Sequence, residues 1–276
     1  MKIPITVIIA SKNEERNIKN CIISAKNFSE IIVVDSNSED STAEIASSLG
    51  VNVINFSWNG KYPKKRQWIL ENDKTQNEWI FFLDGDERVP SNLEDELSDL
   101  FATEFPNIYS GGQLKMEYYF AGQRIRFGYK IRTIKLMKVT SASYSDVGDS
   151  NLVGMGEIEG HFQPLINGKI YKLKNYLQER DSDPISSWAH RHVNYAEWDA
   201  SIRVKRELRK KVEEKKTSRS WVFHKLPFRP LNFFLYSYVL KFGFLDGKKG
   251  FDYAFGYAWF YWLSGVVLSE KQREDK

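Results

Sequence analysis

Two carboxylates one residue apart, Asp84 and Asp86, stand directly behind the apolar run Trp79-Ile80-Phe81-Phe82-Leu83, with Gly85 between them and Glu87 next. Oxygen ligands at this spacing suit a hard divalent cation, Mg²⁺ or Mn²⁺, and a cation held there can neutralise a diphosphate. Gly85 would let the backbone approach a bulky anion. The same residues also read as a solvated turn, because Asp-Gly is a favoured turn pair. Position decides between the two. The apolar run reads as a buried strand, and an open α/β sheet gathers its ligands at the carboxyl ends of its strands.

The elements that must deliver these groups are legible upstream. Ile5 to Ile9 is a β-branched strand, Ser11-Lys12-Asn13-Glu14-Glu15 a polar loop, and Ile18, Cys21, Ile22 and Ala25 fall at helical spacing. The unit repeats: Ile31-Ile32-Val33-Val34-Asp35 is a strand, Ser36 to Thr42 a loop and cap, and a helix ends near Gly50. Val51 to Ile54 is a third strand, Lys64 to Leu70 starts a helix, and Trp79 to Leu83 is the fourth strand. Alternation of this kind predicts a parallel sheet with helices on both faces. Neither a Gly-x-Gly-x-x-Gly turn nor a Walker-type Gly-Lys-Ser/Thr occurs, so polar groups at strand ends must hold any nucleotide.

After Gly111 the pattern changes to short aromatic, β-rich pieces such as Leu114 to Phe120 and Ile131 to Met137, which predict a smaller mixed-sheet half. Ser186 to about Lys216 reads as one long helix carrying His190, His192 and Trp198. Two apolar segments follow, Leu231 to Leu245 and Phe251 to Leu268. The expected division is residues 1–110, 111–185 and 186–276.

The chain has 276 residues, 42% of them hydrophobic, enough for one large core with an appendage. Its single cysteine, Cys21, excludes an intrachain disulfide, and its isoleucine neighbours make it a core thiol. Met1-Lys2 leads straight into a strand without an export signal, so the protein is expected in the cytoplasm. Net charge is +4, but between Arg203 and Arg229 eleven Lys/Arg oppose three acids, a local excess of eight. That places one basic segment on a slightly acidic body, which suits an anionic surface and argues against a nucleic-acid binder. Tyr253 to Leu268 has no charged residue, yet sixteen residues of helix reach only about 24 Å, short of about 30 Å of hydrocarbon. Its seven aromatic residues suit a bilayer interface, so the expectation is a peripheral protein on the cytoplasmic face of the inner membrane. Core helices or a homo-oligomer contact are the alternatives.

Ile5 to Glu15, Ile31 to Ser36 with Asp40-Ser41-Thr42, and Asp84-Gly85-Asp86-Glu87, in that order, resemble family 2 glycosyltransferases. Trp58 to Arg66, Gly156-Glu157-Ile158-Glu159-Gly160-His161-Phe162, Gly168 to Lys174 and Gly243 to Gly247 are similar to runs in the branch that extends lipopolysaccharide cores and surface polysaccharides. The resemblance implies an α/β GT-A fold plus a C-terminal helical extension, a nucleotide-sugar donor, most simply UDP-linked, a glycan or lipid-linked acceptor, and inversion at the anomeric carbon. It further implies that Ala10, Ser11, Asn13 and Glu14 line the nucleoside pocket, that Asp35 accepts from base or ribose, and that Lys65 and Arg66 face the donor phosphates. Asp86 would hold the metal, with Asp84 on metal, ribose or sugar and Gly85 beside the donor. Glu159 would be the general base, with Glu157 in reserve, and His161 could complete the metal shell or touch a phosphate. The commoner run is Val-His-Glu, so the register of base and histidine differs here. A sugar-nucleotide nucleotidyltransferase would need a glycine-rich loop where Ser11 to Glu15 has none, and an inactive membrane-bound scaffold would have no need of Asp84, Asp86 and Glu159.

Overall fold

The computed structural model describes residues 2–72, 75–159, 162–213 and 227–274. The first four strands, β1 (Ile3–Ser11), β2 (Phe28–Asp35), β3 (Asn52–Asn55) and β4 (Trp79–Asp84), alternate with α1 (Ile18–Ser24), α2 (Thr42–Ser48) and α3 (Lys65–Glu71). After β5 (Glu87–Arg88), α4 (Ser91–Phe101) and α5 (Phe105–Ile108) come β6 (Gly111–Phe120), β7 (Gln123–Arg124), β8 (Arg132–Lys138), β9 (Ala142–Ser143), β10 (Leu165–Ile166) and β11 (Ile170–Glu179). The chain closes with α6 (Ile185–Val204), α7 (Arg206–Glu213), α8 (Arg229–Phe234) and α9 (Lys248–Glu274).

The main sheet runs β3-β2-β1-β4-β8-β6-β11-β5, with β7 folded back on β6. β1 pairs in parallel with both β2 and β4, and β2 with β3, which is the predicted parallel half. β8 joins β4 and β6 antiparallel, while β11 lies parallel to β6 and antiparallel to β5. One continuous sheet therefore spans both halves, and β5, only three residues past Asp84, is an edge strand at the far side.

Burial on both faces explains the uniform β-branched runs. Ile5, Val7, Ile9, Val33, Phe81 and Leu83 meet α1 and α4 through Ile18, Cys21, Ile22, Leu93 and Leu97. Ile8, Ile32, Val34, Ile80 and Phe82 turn to the other face, against Ile69 and Leu70 of α3 and Tyr144. Alternate residues thus enter different cores, so a one-residue slip would exchange two sets of apolar side chains. Cys21 is fully buried, as expected of a core thiol.

The C-terminal third departs from the sequence reading. The helix expected over 186–216 breaks at Lys205, whose backbone is extended, before α7 resumes. Arg203, Arg206 and Arg209 would stack like charges at three-residue spacing across a continuous helix, which disfavours it. Lys215, Lys216, Arg219 and Lys225 of the basic segment lie outside the described residues. The apolar segment 231–245 is divided among α8, a π-helical turn (Leu235–Leu240) and a 3-10 turn (Gly243–Asp246). Close contact requires this: a Cβ on Gly243 would stand 2.8 Å from the Ser237 carbonyl oxygen, and one on Gly250 2.0 Å from that of Gly243. The last helix is longer than its apolar core, running from Lys248 to Glu274.

Candidate active site

The loops after β1 and β2 bind each other before any ligand does. Asn13 adopts a left-handed conformation, its N–H donates to Ser38 Oγ at 2.8 Å, and its Oδ1 accepts the Glu39 N–H at 2.9 Å. Asp35 Oδ1 accepts hydroxyls from Ser11 at 3.0 Å and Ser38 at 2.6 Å, and Oδ2 accepts the Ser38 N–H at 2.8 Å. A carboxylate offers about four lone-pair sites, so one acceptor site on Asp35 Oδ2 is left for a ligand. The neighbouring Ser36 Oγ is buried with no partner among the described residues. Ala10, the β1 residue before Ser11, pairs with Asp84 across the β1–β4 ladder, which brings the loop after β1 and the Asp-Gly-Asp turn to one sheet end.

The two aspartates of that turn have opposite environments. Asp84 Oδ1 meets Arg66 Nη2 at 2.6 Å and Oδ2 meets Lys135 Nζ at 2.8 Å. Burial alone would raise its pKa, but the Arg66 and Lys135 charges hold it well below the usual carboxylate range. Lys135 also reaches Glu87 Oε1 at 2.7 Å, forming a bridge between the two acids. Both oxygens of Asp84, the residue expected on metal, ribose or sugar, are thus engaged by cations. Asp86 has no ion pair or side-chain hydrogen bond among the described residues. Burial, reinforced by the charges of Glu14, Asp84 and Asp181, pushes its carboxyl up to about 8. Glu14 lies directly over Gly85, where a Cβ would come within 2.6 Å of its Cγ, and burial raises it to about 7. A side chain at Gly85 would therefore collide with Glu14, which accounts for the glycine between the two aspartates.

Residues from far along the chain complete the acidic cluster. Asp181 binds Arg191 and accepts the Asp183 N–H at 2.8 Å, and Asn17 Nδ2 lies 3.5 Å from its Oδ1. Glu179, opposite Glu87 on the β11–β5 ladder, is pushed well above the ordinary range by burial and by Asp86 and Glu87. None of Lys135, Glu179, Asp181 and Arg191 was singled out from sequence. One signal existed, a lysine inside the apolar run Ile134-Lys135-Leu136-Met137, which demands a buried partner.

A divalent cation fits this site by charge and donor type. Asp86 offers an uncommitted hard oxygen donor, crowded by negative charge that a cation would relieve. Among the described residues no group of three or more His, Cys, Asp or Glu could by itself hold a metal. One or two carboxylates, with donor phosphates and water completing the shell, match the way Mg²⁺ is usually held. His161, the further expected ligand, and Gly160 lie outside the described residues.

The start of α3 gathers the remaining candidates. Lys65 Nζ contacts the Ser11 carbonyl oxygen at 3.2 Å and Glu157 Oε1 at 2.9 Å. Lys64 pairs with Asp149 at 2.9 Å and donates to the Ile158 carbonyl at 3.0 Å. Glu159 Oε1 accepts the Gln67 N–H at 2.8 Å, so it caps a helix that lacks a capping side chain at its own N-terminus. Burial raises the Glu159 pKa, opposed by Arg66 and by the backbone amides it accepts. Glu157, Glu159, Lys65, Arg66 and Asp84 are therefore brought together by one seven-residue helix.

A parallel half continuous with a mixed half, with acids and cations at the strand ends, is the arrangement of the GT-A class of sugar-transferring enzymes. The glycosyl transferase family 2 pattern matches residues 6–142. Glycosyltransferase RT0209 of Rickettsia typhi is 30% identical over 210 residues, covering 73% of this chain and 68% of that protein. The chain belongs to glycosyltransferase family 2. It is also 26% identical over 207 residues to the lipopolysaccharide core biosynthesis glycosyltransferase LpsC of Rhizobium meliloti, covering 67% of this chain and 73% of that one. Glucosyl-3-phosphoglycerate synthase from Mycobacterium tuberculosis, solved with Mn²⁺, UDP-glucose and phosphoglyceric acid, aligns with a TM-score of 0.33 at 25% identity, over 41% of this chain and 43% of that one.

Proposed function

We propose that the protein is an inverting, metal-dependent glycosyltransferase that moves a sugar from a nucleotide diphosphate donor, most simply UDP-linked, to a lipopolysaccharide-core or lipid-linked acceptor. The observation that carries the reading is Asp86, a carboxylate without a cationic partner of its own at a strand tip, one residue from Gly85 and beside the ion-paired Asp84. The likeness to a lipopolysaccharide core enzyme supports the acceptor class.

Asp35 and the amides of the Ser11 to Glu14 loop would hold the nucleoside, and Asp86 would hold the cation, with Glu14 next to it. The cation supplies charge stabilisation of the diphosphate as it leaves. Lys65 and Arg66 lie at the same sheet end, and Arg66, fixed by Asp84, adds a positioned charge toward the phosphates. The base is Glu159. One of its oxygens is fixed by the Gln67 amide, and a raised pKa makes it the better proton acceptor, whereas Glu157 is neutralised by Lys65.

Thermal stabilisation by UDP, GDP, CMP and dTDP sugars, each with and without Mn²⁺, tests the donor reading, since a ligand at about 100 times its Kd adds about 2.7 kcal/mol. No stabilisation by any of the four would overturn it. Glu159→Gln is expected to keep donor binding and lose about 10²–10⁴ in turnover. In the wild type, kcat/KM should fall toward low pH with a midpoint above that of an ordinary glutamate, because the base must be ionised and burial opposes ionisation. A larger defect in Glu157→Gln would exchange the two assignments.

A further inference from the structure

The last helix is apolar on the side it buries and also on the side it does not. Gly250, Tyr253, Ala254, Ala258, Ser264 and Val267 are its buried residues, and the helix packs on α6 and α8. On the exposed side Phe251, Phe255, Trp262 and Val266 stand 43–57% exposed at spacings of four, seven and four. At about 100° per residue these four fall within one stripe about 60° wide. A helix apolar all round, with one face uncovered, has an unfilled partner surface.

The stripe continues off the helix without a gap. Ring centroids run from Phe255 to Phe251 at 5.9 Å, Phe251 to Tyr238 at 5.8 Å, Tyr238 to Phe244 at 6.4 Å, and Phe244 to Phe242 at 6.2 Å. Leu240 and Leu245 flank its end, both more than half exposed. Phe242 has a φ of 59°, a conformation costly for a bulky residue, and still points its ring to solvent.

Exposed charge beside the aromatic part of the stripe is mostly basic. Lys241 and Lys248 are exposed beside it, and Lys249 is partly so. The nearby acids are engaged: Asp246 Oδ2 accepts the Arg126 and Phe127 N–H groups at 2.8 Å each, and the partly exposed Asp252 is paired with Lys248 at 2.6 Å. Where Phe228, Trp262 and Val266 line a groove of about 470 Å³, its charged lining residues are Arg203, Arg229 and Arg273. Of the described basic segment, Lys205, at the end of α6, and Arg206, Arg209, Lys210 and Lys211 of α7 are exposed.

We propose that this ridge is a docking surface for an anionic phospholipid bilayer, with the Phe242–Phe244–Phe251–Phe255 strip entering the interface and the lysines and arginines meeting the phosphates. Among the described residues no helix is long and apolar enough to cross a membrane, and the proposed contact is one in which the ridge lies along the bilayer interface. A second copy is the less suitable occupant. Two-fold packing of the ridge on itself would bury Lys241, which has no ion pair among the described residues, and the nearby Asp246 and Asp252 are already engaged by Lys249 and Lys248. The inference goes beyond the proposed reaction and stands whichever acceptor is used.

Flotation of the full chain with phosphatidylcholine vesicles, and with vesicles containing 30% phosphatidylglycerol, across a salt series tests it. Binding is expected to the anionic vesicles only, weakening with salt. Replacing Lys241, Lys248 and Lys249 with Gln should lower affinity about a hundredfold at low salt, at about 1 kcal/mol per cation. Replacing Phe244, Leu245 and Phe255 with Ser should abolish flotation at every salt concentration with an unchanged circular dichroism spectrum. Failure of the wild type to float at low salt would overturn the proposal, as would unaltered flotation of both variants. So would concentration-dependent dimerisation, lost in the serine variant, by a protein that ignores vesicles. Donor stabilisation is read separately, so failure to float leaves the reaction assignment intact.

Discussion

Asp86→Asn is expected to remove Mn²⁺-dependent donor binding and lower transfer by at least about 10²–10³-fold, the loss typical of removing a group that stabilises developing charge. It should also make the metal-free protein more stable in alkaline solution. The sign follows from the raised pKa. An isolated aspartate titrates near pH 4, whereas Asp86 in the fold titrates at about 8. Between those values the folded state keeps a proton that the unfolded chain releases, so stability falls as pH rises through this window. The Asn variant has no proton to lose, so its contribution to that fall disappears. For the wild type, Mn²⁺ should raise the thermal midpoint more at pH 8.5 than at pH 6, because the metal replaces the proton. Equal Mn²⁺ stabilisation of wild type and variant, or wild-type turnover by the variant, would remove the metal from Asp86.

Lys135→Met is expected to cost about 3–5 kcal/mol, the range found when one partner of a buried ion pair is deleted. Lys135 and Glu87 are almost fully buried, 7% and 3% of their side chains being exposed, and the amine is the cation that Glu87 has nearby. Methionine fills similar volume, so the loss would report charge and not a cavity. Its pH dependence distinguishes the cause. Glu87 already titrates near 7 with Lys135 present, chiefly through burial, and without the amine it would titrate higher still. At pH 5 the carboxyl is protonated in the variant and the deficit should shrink; at pH 8 it should be largest. Denaturant unfolding at the two pH values measures this, and a deficit independent of pH would mean that Glu87 is not the acid whose charge Lys135 offsets, leaving its pair with Asp84 and its packing as the sources.

The parallel half was legible because strands buried on both faces leave unbroken β-branched runs, as in Ile5 to Ile9 and Ile31 to Val34. The Asp84 to Glu87 turn was legible because its acids follow such a run. Its division of labour was not. Arg66 is 18 residues from Asp84 and Lys135 is 51, and their convergence depends on β8 entering the sheet beside β4. Asp181 and Arg191 reach Glu14 only because β11 returns along β6 and hands the chain to α6. Likewise, the segmentation of 231–245 rests on contacts between glycines and carbonyl oxygens, which hydropathy does not encode.

α3 is two turns long, and helices of that length do not persist alone in water. It is held by the 144–159 loop, through the Glu159 cap, the Lys65–Glu157 and Lys64–Asp149 pairs, and the Lys65 N–H donated to the Glu157 carbonyl. Helix and loop must therefore open as one cooperative unit. Exchange of the Gln67 amide proton, which Glu159 accepts, would report the opening of that loop, and Lys65, paired with Glu157, would lose its loop partner when it opens. Ligand bound on either side of the helix would slow exchange on the other, which makes this short segment a reporter of communication between the two halves.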